Sequence, residues 1–308
     1  MAHALILFGA GASAGCGPVV PERPALGSEL YSRLRSLYPQ SWGALPPETR
    51  TAFGINFERG MAVVHEKHAG AIQVLMQHLA LYFAQFRSPV SGRTTYTRLA
   101  DSIRNADVVD RVIFSSLNYE CLLEQSLSVA GFQVDYGFGG HVSAVGSALT
   151  LKIHGSCNFL PVGISGPVGA IAIGAGASID LPVRAVGDLN EAVKHALTNP
   201  LQPVMCLYME GKPTQVAPGT IRALQAMWQD RVADAAVTIV IGVHPNPQDT
   251  HVWDFLAASP GLVGYVGPAK AAFEAWAAGT SLGGRAVYLS DRFDTSVDEV
   301  VRLIVEHV

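Results

Sequence analysis

Charge is scarce in this chain: Asp, Glu, Lys and Arg make up 15% of its 308 residues. The 21 basic residues are scattered and the net charge is −4, which offers no basic face to a nucleic acid. No run reaches the roughly 18–20 apolar residues that a membrane-spanning helix needs. The first apolar run, Ala4-Leu5-Ile6-Leu7-Phe8, has no basic leader before it and ends in glycine rather than at a cleavage site. Cysteine is equally sparse. Cys16, Cys121, Cys157 and Cys206 are far apart in the chain and form no C-x-x-C pair, so neither a zinc knuckle nor a disulfide framework is expected. These absences suit a protein of the reducing cytoplasm. What is plentiful is apolar: 49% of the residues are hydrophobic, enough for a large core in one big or two modest domains.

Strand-like runs recur at Leu5–Phe8, Arg111–Ser115, Leu149–Ile153, Val204–Tyr208, Val237–Ile241, Leu262–Val266 and Ala286–Leu289. Between them lie stretches with helical spacing, such as Leu123, Leu127 and Ala130, or Ile221, Leu224 and Trp228. Ser296-Val297-Asp298-Glu299 reads as a capping box before a last helix that turns Val300, Leu303 and Ile304 inward. Apolar strands alternating with amphipathic helices predict an α/β protein, a doubly wound, mostly parallel Rossmann-like sheet. Residues 25–86 interrupt the alternation with helical spacing of their own (Leu26, Leu30, Leu34, then Val63, Val64, Leu75, Leu79, Phe83). They predict an inserted helical subdomain, with 1–24 and 87–308 forming the sheet domain; a helical layer packed on the sheet is the alternative. The Gly- and Ala-rich stretch 161–183 contains Gly174-Ala175-Gly176-Ala177-Ser178, but no strong strand precedes it. It reads as a loop, hairpin or mobile lid.

The most informative segment is Leu5 to Gly15, where an apolar strand runs into Gly9-Ala10-Gly11-Ala12-Ser13. Glycines let a backbone bend sharply and bring its N–H groups close to phosphate oxygens, and the Ser13 hydroxyl adds a donor. The third glycine of the usual dinucleotide fingerprint is absent: Ala14 holds its place and Gly15 follows. A plain strand-to-helix turn is the competing reading. Three other segments fall at predicted strand ends: Ser115–Glu120, Lys152–Ser156 and Ile241–Asp249. In a parallel sheet these ends share one edge, so Asn118, His154 and two glycine turns should converge.

In these residues the chain resembles the sirtuin-like NAD-consuming family. Gly9–Ser13 matches its G-A-G-x-S loop, Asn118 lies in its T-x-N-Y-D-type segment, and His154-Gly155 matches its H-G pair. Ile241-Gly242 followed by Asp249 and His251-Val252-Trp253-Asp254-Phe255 is most similar to the bacterial-defence NAD hydrolase branch. The resemblance implies an NAD glycohydrolase that releases nicotinamide and ADP-ribose, with NAD as substrate and no zinc. It implies that Asn118 holds ribose hydroxyls or the attacking water and that His154 is the general base. Ala10 and Gly11 N–H groups, with Gly9 and Ser13, would bind the diphosphate, and Gly242 and Asp249 would border the adenosine ribose. Glu120 stands where the family has Asp beside the nicotinamide pocket, and Arg23 is a loose substitute for the family's loop arginine. No four-cysteine zinc module or peptide-binding strand is visible, which disfavours protein deacylation. Unrestrained NAD cleavage is toxic, so a homo-oligomeric switch or a regulatory partner protein is also expected.

Other readings compete. Asn118 before a helix can be a simple N-cap. A non-catalytic NAD or ADP-ribose module fits the altered loop Cys16–Arg23. A nicotinamide-dependent oxidoreductase wants an acid about 20 residues past the glycine turn; Glu22 comes too soon and Glu29 sits on a predicted helix. His65 and His68 read as a solvated helix face, His244 and His251 as flanks of a proline-rich loop, and Cys157 as a buried thiol. Trp253 and Phe255 read as core, and Gly279-Thr280-Ser281-Leu282 as a chance match to a sirtuin tetrapeptide.

Overall fold

The computed structural model describes residues 2–89, 92–138, 147–174, 176–246 and 248–308. Among these, seven strands form one parallel sheet: β1 (Ala4–Phe8), β2 (Val112–Ser116), β3 (Gln133–Asp135), β4 (Ser147–Lys152), and, after the short antiparallel pair β5 (Phe159–Pro161) and β6 (Val183–Ala185), β7 (Val237–Ile241), β8 (Leu262–Val266) and β9 (Ala286–Ser290). Their order across the sheet is β3-β4-β2-β1-β7-β8-β9. This is the doubly wound α/β arrangement, with β1 at the centre. Every residue of β1 is fully buried, but alternate side chains enter different cores. Ala4, Ile6 and Phe8 join one apolar cluster, Leu5 and Leu7 the other. That two-sided burial is why the strand reads as an unbroken apolar run.

Helices cover both faces. The first face carries α2 (Gly27–Leu37), α3 (Pro47–Ile55), α4 (Phe57–Lys67), α5 (Ile72–Phe83), α6 (Thr95–Asn105), α7 (Leu122–Val129) and α12 (Val297–His307), and α8 (Leu189–Thr198) lies against α5. The second carries α9 (Pro218–Asp234), α10 (Thr250–Ala257) and α11 (Lys270–Ala278). Helices α2 to α5 have an aromatic nucleus, in which Tyr31 stacks on Phe53 at 4.4 Å beside the fully buried Trp42. Their apolar residues also merge with those under β1, in one continuous cluster. No helix among the described residues is long and apolar enough to cross a membrane.

Three sequence expectations need correction. Val204–Tyr208 is not a sheet strand; it is a buried connection whose one ladder contact is an isolated bridge between Met205 and Gly155. Apolar content alone cannot tell a buried connection from a strand. The Ser296 side chain does not cap α12; its hydroxyl donates to the Phe293 carbonyl at 3.0 Å. Phe255 is 37% exposed, whereas Trp253 is core. The stretch 161–183 is bracketed by the β5–β6 pair, so the hairpin reading describes it, while Ala175 within it lies outside the described residues.

Register places the site. Phe8 lies opposite both Ser116 and Ile241, Ser116 opposite Lys152, and Ile241 opposite Val266. Five strands therefore end level, and the segments after them share one edge.

Candidate functional site at the strand ends

The β1 turn and the β7 turn are packed backbone against backbone. Gly9 N–H donates to the Ile241 carbonyl and Gly11 N–H to the Gly242 carbonyl, each at 2.9 Å. A Cβ on Gly9 would sit 2.6 Å from the Gly242 oxygen, and one on Gly242, whose φ is +67°, 2.0 Å from Ala12 N. Glycine is thus required at both turns by their mutual approach. The Gly11 N–H is spent on this contact, unlike the expectation that it faces a ligand. The exposed Ala10, first residue of α1 (Ala10–Ala14), has no backbone acceptor for its N–H among the described residues.

Ser13 is also turned inward. Its hydroxyl donates to Glu120 Oε1 at 2.5 Å, meets the Tyr96 hydroxyl at 2.9 Å and accepts from Asn118 Nδ2 at 2.9 Å. Glu120 Oε2 accepts the Leu122 N–H at the start of α7, so both carboxylate oxygens have protein partners. Asn118 Nδ2 also donates to the Gly9 carbonyl at 2.9 Å. Both amide hydrogens are used, and among the described residues Oδ1 has no protein partner. Below them Lys152, fully buried, donates to the Glu120 carbonyl at 2.6 Å and pairs with Glu124 at 3.0 Å. Burial works against its charge, but Glu124, Cys121 and Glu120 outweigh it and hold the ammonium above its usual range. This buried pair pins the loop that carries Asn118.

His154 follows β4. Its neighbour Gly155 has φ +80°, and a Cβ there would lie 2.2 Å from the Val204 carbonyl, because the buried connection passes close behind. Burial pushes the His154 pKa well below the ordinary 6.5; nearby His251 and Lys212 add to this, and a backbone hydrogen bond with Leu117 opposes it. The imidazole is neutral at neutral pH. Its Nε2 lies 2.7 Å from His251 Nε2.

These groups border one cavity of about 710 Å³, lined by Gly9, Ala10, Gly11, Ser13, Asn118, Glu120, His154, Gly242 and Asp249. Arg23 does not line it. That residue is exposed and bonded to both oxygens of Glu29, at 2.8 and 2.6 Å. The sequence reading missed part of the wall. Lys212 Nζ bonds to Glu58 at the start of α4, lies 3.4 Å from Asp249 Oδ1, and sits over the Tyr208 ring at 5.4 Å. Its only sequence signal was the Glu210-Gly211-Lys212-Pro213 turn. A second cavity of about 290 Å³ adjoins the first, sharing Gly11 and Gly242 and bordered by Gly267, Arg292 and Phe293. Arg292 is paired with Asp294. The cations bordering the two cavities, Lys212 and Arg292, therefore already have carboxylate partners.

Among the described residues, no three His, Cys, Asp or Glu side chains are grouped to hold a metal. All four thiols are free and buried, and the fold brings two of them, Cys121 and Cys157, to 3.9 Å. Gly279 caps the end of α11 and takes no part in the site.

Fold and site together define an open parallel α/β protein with a cavity at the carboxyl ends of its strands, mostly apolar in lining with a few polar groups converging on it. No protein-family model matches the chain, and no curated protein matches it. Among solved structures it is similar to a mutant Sir2 homologue in complex with ADP-ribose, at 14% identity over 99% of this chain and 91% of that one, with a TM-score of 0.44. It is also similar to a second such mutant with ADP-ribose (15%, 99% and 91%, 0.45). A structure from work on the mechanism and regulation of Sir2 enzymes gives 12%, 99% and 92%, and 0.45.

Proposed function

We propose that the protein is an NAD glycohydrolase that cleaves the nicotinamide–ribose bond to give nicotinamide and ADP-ribose. The observation that carries this reading is the convergence of Asn118 and His154 with the Gly9–Gly11 turn on one cavity. The reaction breaks the C1′–N bond, and the electron pair leaves with the nicotinamide nitrogen, which loses its positive charge. Water attacks C1′ and its proton goes to His154. The transition state is oxocarbenium-like, so placement and electrostatics matter more than a strong nucleophile. Asn118 Oδ1 is free to accept from a ribose hydroxyl or the water. Glu58 and Asp249, set against Lys212, leave that side of the cavity net negative, which favours positive charge developing on the sugar. With Nε2 facing His251, Nδ1 is the nitrogen of the neutral His154 left to offer a lone pair at neutral pH. With Lys212 and Arg292 already paired, a diphosphate here would rely on backbone N–H groups such as that of Ala10.

The helices of 25–86 serve in this reading as a subdomain that supplies Glu58 and Phe57 to the wall. The resemblance to the defence branch favours a cytoplasmic role in antiphage defence, with activity restrained by self-association or a partner protein. The test is nicotinamide release from NAD by the purified chain. Asn118→Ala should cut the rate by about 100-fold or more, and a melting curve separates lost chemistry from lost fold. Equal rates for wild type and variant would overturn the assignment. The second reading is a non-catalytic NAD or ADP-ribose module, favoured by the inward bonding of Ser13 and of both Asn118 amide hydrogens. Tight NAD binding by calorimetry without nicotinamide release selects it.

A further inference from the structure

His251 lies in the first turn of α10 and is half-buried; unlike His154, it does not line the cavity. The two rings are tilted at 36° with centroids 5.0 Å apart, and their Nε2 atoms face each other at 2.7 Å. Two N–H groups, or two lone pairs, facing at that distance repel. The pair therefore holds one proton between its Nε2 atoms, and a neutral pair has one donor ring and one acceptor ring. The charged groups around it are Lys212, Asp249 and Glu58.

We propose that His251 is a positioning residue for His154: it fixes the ring's orientation and tautomer, and it shares the charge His154 acquires on taking a proton from the cavity. In the neutral pair His154 is the donor at Nε2. One proton enters at its Nδ1, the Nε2 proton passes to His251 Nε2, none leaves, and the pair becomes singly charged with its Nε2···Nε2 hydrogen bond intact. Burial disfavours charge on either ring, but at His251 the carboxylates Asp249 and Glu58 work against that penalty, and at His154 neither does. The charge therefore settles on His251. The chemical step rests on the glycohydrolase reading; the pairing does not.

The test uses the full chain with His251→Phe, which keeps ring volume without nitrogen, and His251→Gln, which keeps a hydrogen-bonding amide that does not titrate. Nicotinamide release is followed from pH 5 to 9, and the histidine ring nitrogens are titrated by NMR. The Phe variant should lose about 10-fold or more in kcat with KM nearly unchanged. The Gln variant should recover part of that loss near pH 7, with the acid limb of the profile displaced. In the NMR titration, His154 should change tautomer balance and midpoint when His251 is replaced. Wild-type kcat and profile in the Phe variant would overturn the proposal. If the wild type releases no nicotinamide, the hydrolase reading fails by itself, and an unchanged His154 titration in the Phe variant then overturns the pairing too.

Discussion

The pentapeptide G-A-G-A-S occurs twice in this chain, at Gly9–Ser13 and at Gly174–Ser178, and the two copies live in different surroundings. The first follows the central strand and enters α1, with Gly9, Ala12 and Ser13 buried. Gly242 presses on it so closely that no Cβ fits at Gly9, Gly11 or Gly242. The described residues of the second copy are exposed, and no described residue lies within 4 Å of a Cβ built on Gly174 or Gly176. Gly176 has φ +72°, in a turn where Ala177 N–H reaches the Gly174 carbonyl at 3.1 Å. The letters are the same; the partner is not. A glycine turn becomes part of a site when a level strand end brings a second turn against it.

The contrast breaks most sharply at Gly242. An alanine there combines a left-handed φ with a 2.0 Å approach to the Ala12 nitrogen, and neither atom is a flexible side-chain end. Left-handed strain of about 1–2 kcal/mol and overpacking of about 1–3 kcal/mol add to roughly 3 kcal/mol of lost stability. Urea unfolding of Gly242→Ala measures this. A loss below about 0.5 kcal/mol would mean the two turns are not locked together.

That lock was only half legible in the sequence. Strands β7 and β8 carry the bounds read from their apolar runs, because a strand buried on both faces leaves an uninterrupted local signal. That Asn118 and His154 would lie along one edge was readable, since parallel strands of equal register must end together, and both border one cavity. Lys212, Glu58 and the contact of His251 with His154 were not readable. Each comes from a different element, and only the closed fold makes them one cluster. The run Val204–Tyr208 misled because burial between two cores imitates a strand in composition. Strand β3 spans three residues, too few for a pattern. The helix α6 was legible but not read: Thr94 caps it through the Thr97 N–H, and Tyr96, Leu99, Ala100 and Ile103 recur at helical spacing.

Acid should separate the two copies in another way. His154 and His251 beside the first have pKa values below the ordinary 6.5, burial being the largest cause for each. The unfolded chain therefore takes up protons first as pH falls. Stability is fully present above about pH 6.5 and declines below it until the folded-state values are passed, at up to about 1.4 kcal/mol per pH unit for each proton. The second copy has no histidine near it in sequence; between 161 and 183 Asp180 is the one acidic or basic residue. Urea midpoints should fall from pH 7 to pH 5, and less steeply in His251→Phe. A flat midpoint across that range would contradict the buried, neutral pair.

The smallest effects are expected at the second copy, and they isolate backbone conformation from packing. Gly176→Ala meets open space but keeps φ +72°, so it should cost about 1 kcal/mol from strain alone. Gly174→Ala meets open space without a left-handed φ, and should change stability by less than about 0.5 kcal/mol in either direction. Neither should alter nicotinamide release, because neither residue borders the cavity. A large loss in Gly174→Ala would show that this exposed stretch packs against something at its far end, and the difference between the two pentapeptides would then be one of degree. Near-equal, small costs for both alanines would instead mean that the turn at Gly176 relaxes freely, leaving the Gly9–Gly242 junction as the one place where these letters are structurally compelled.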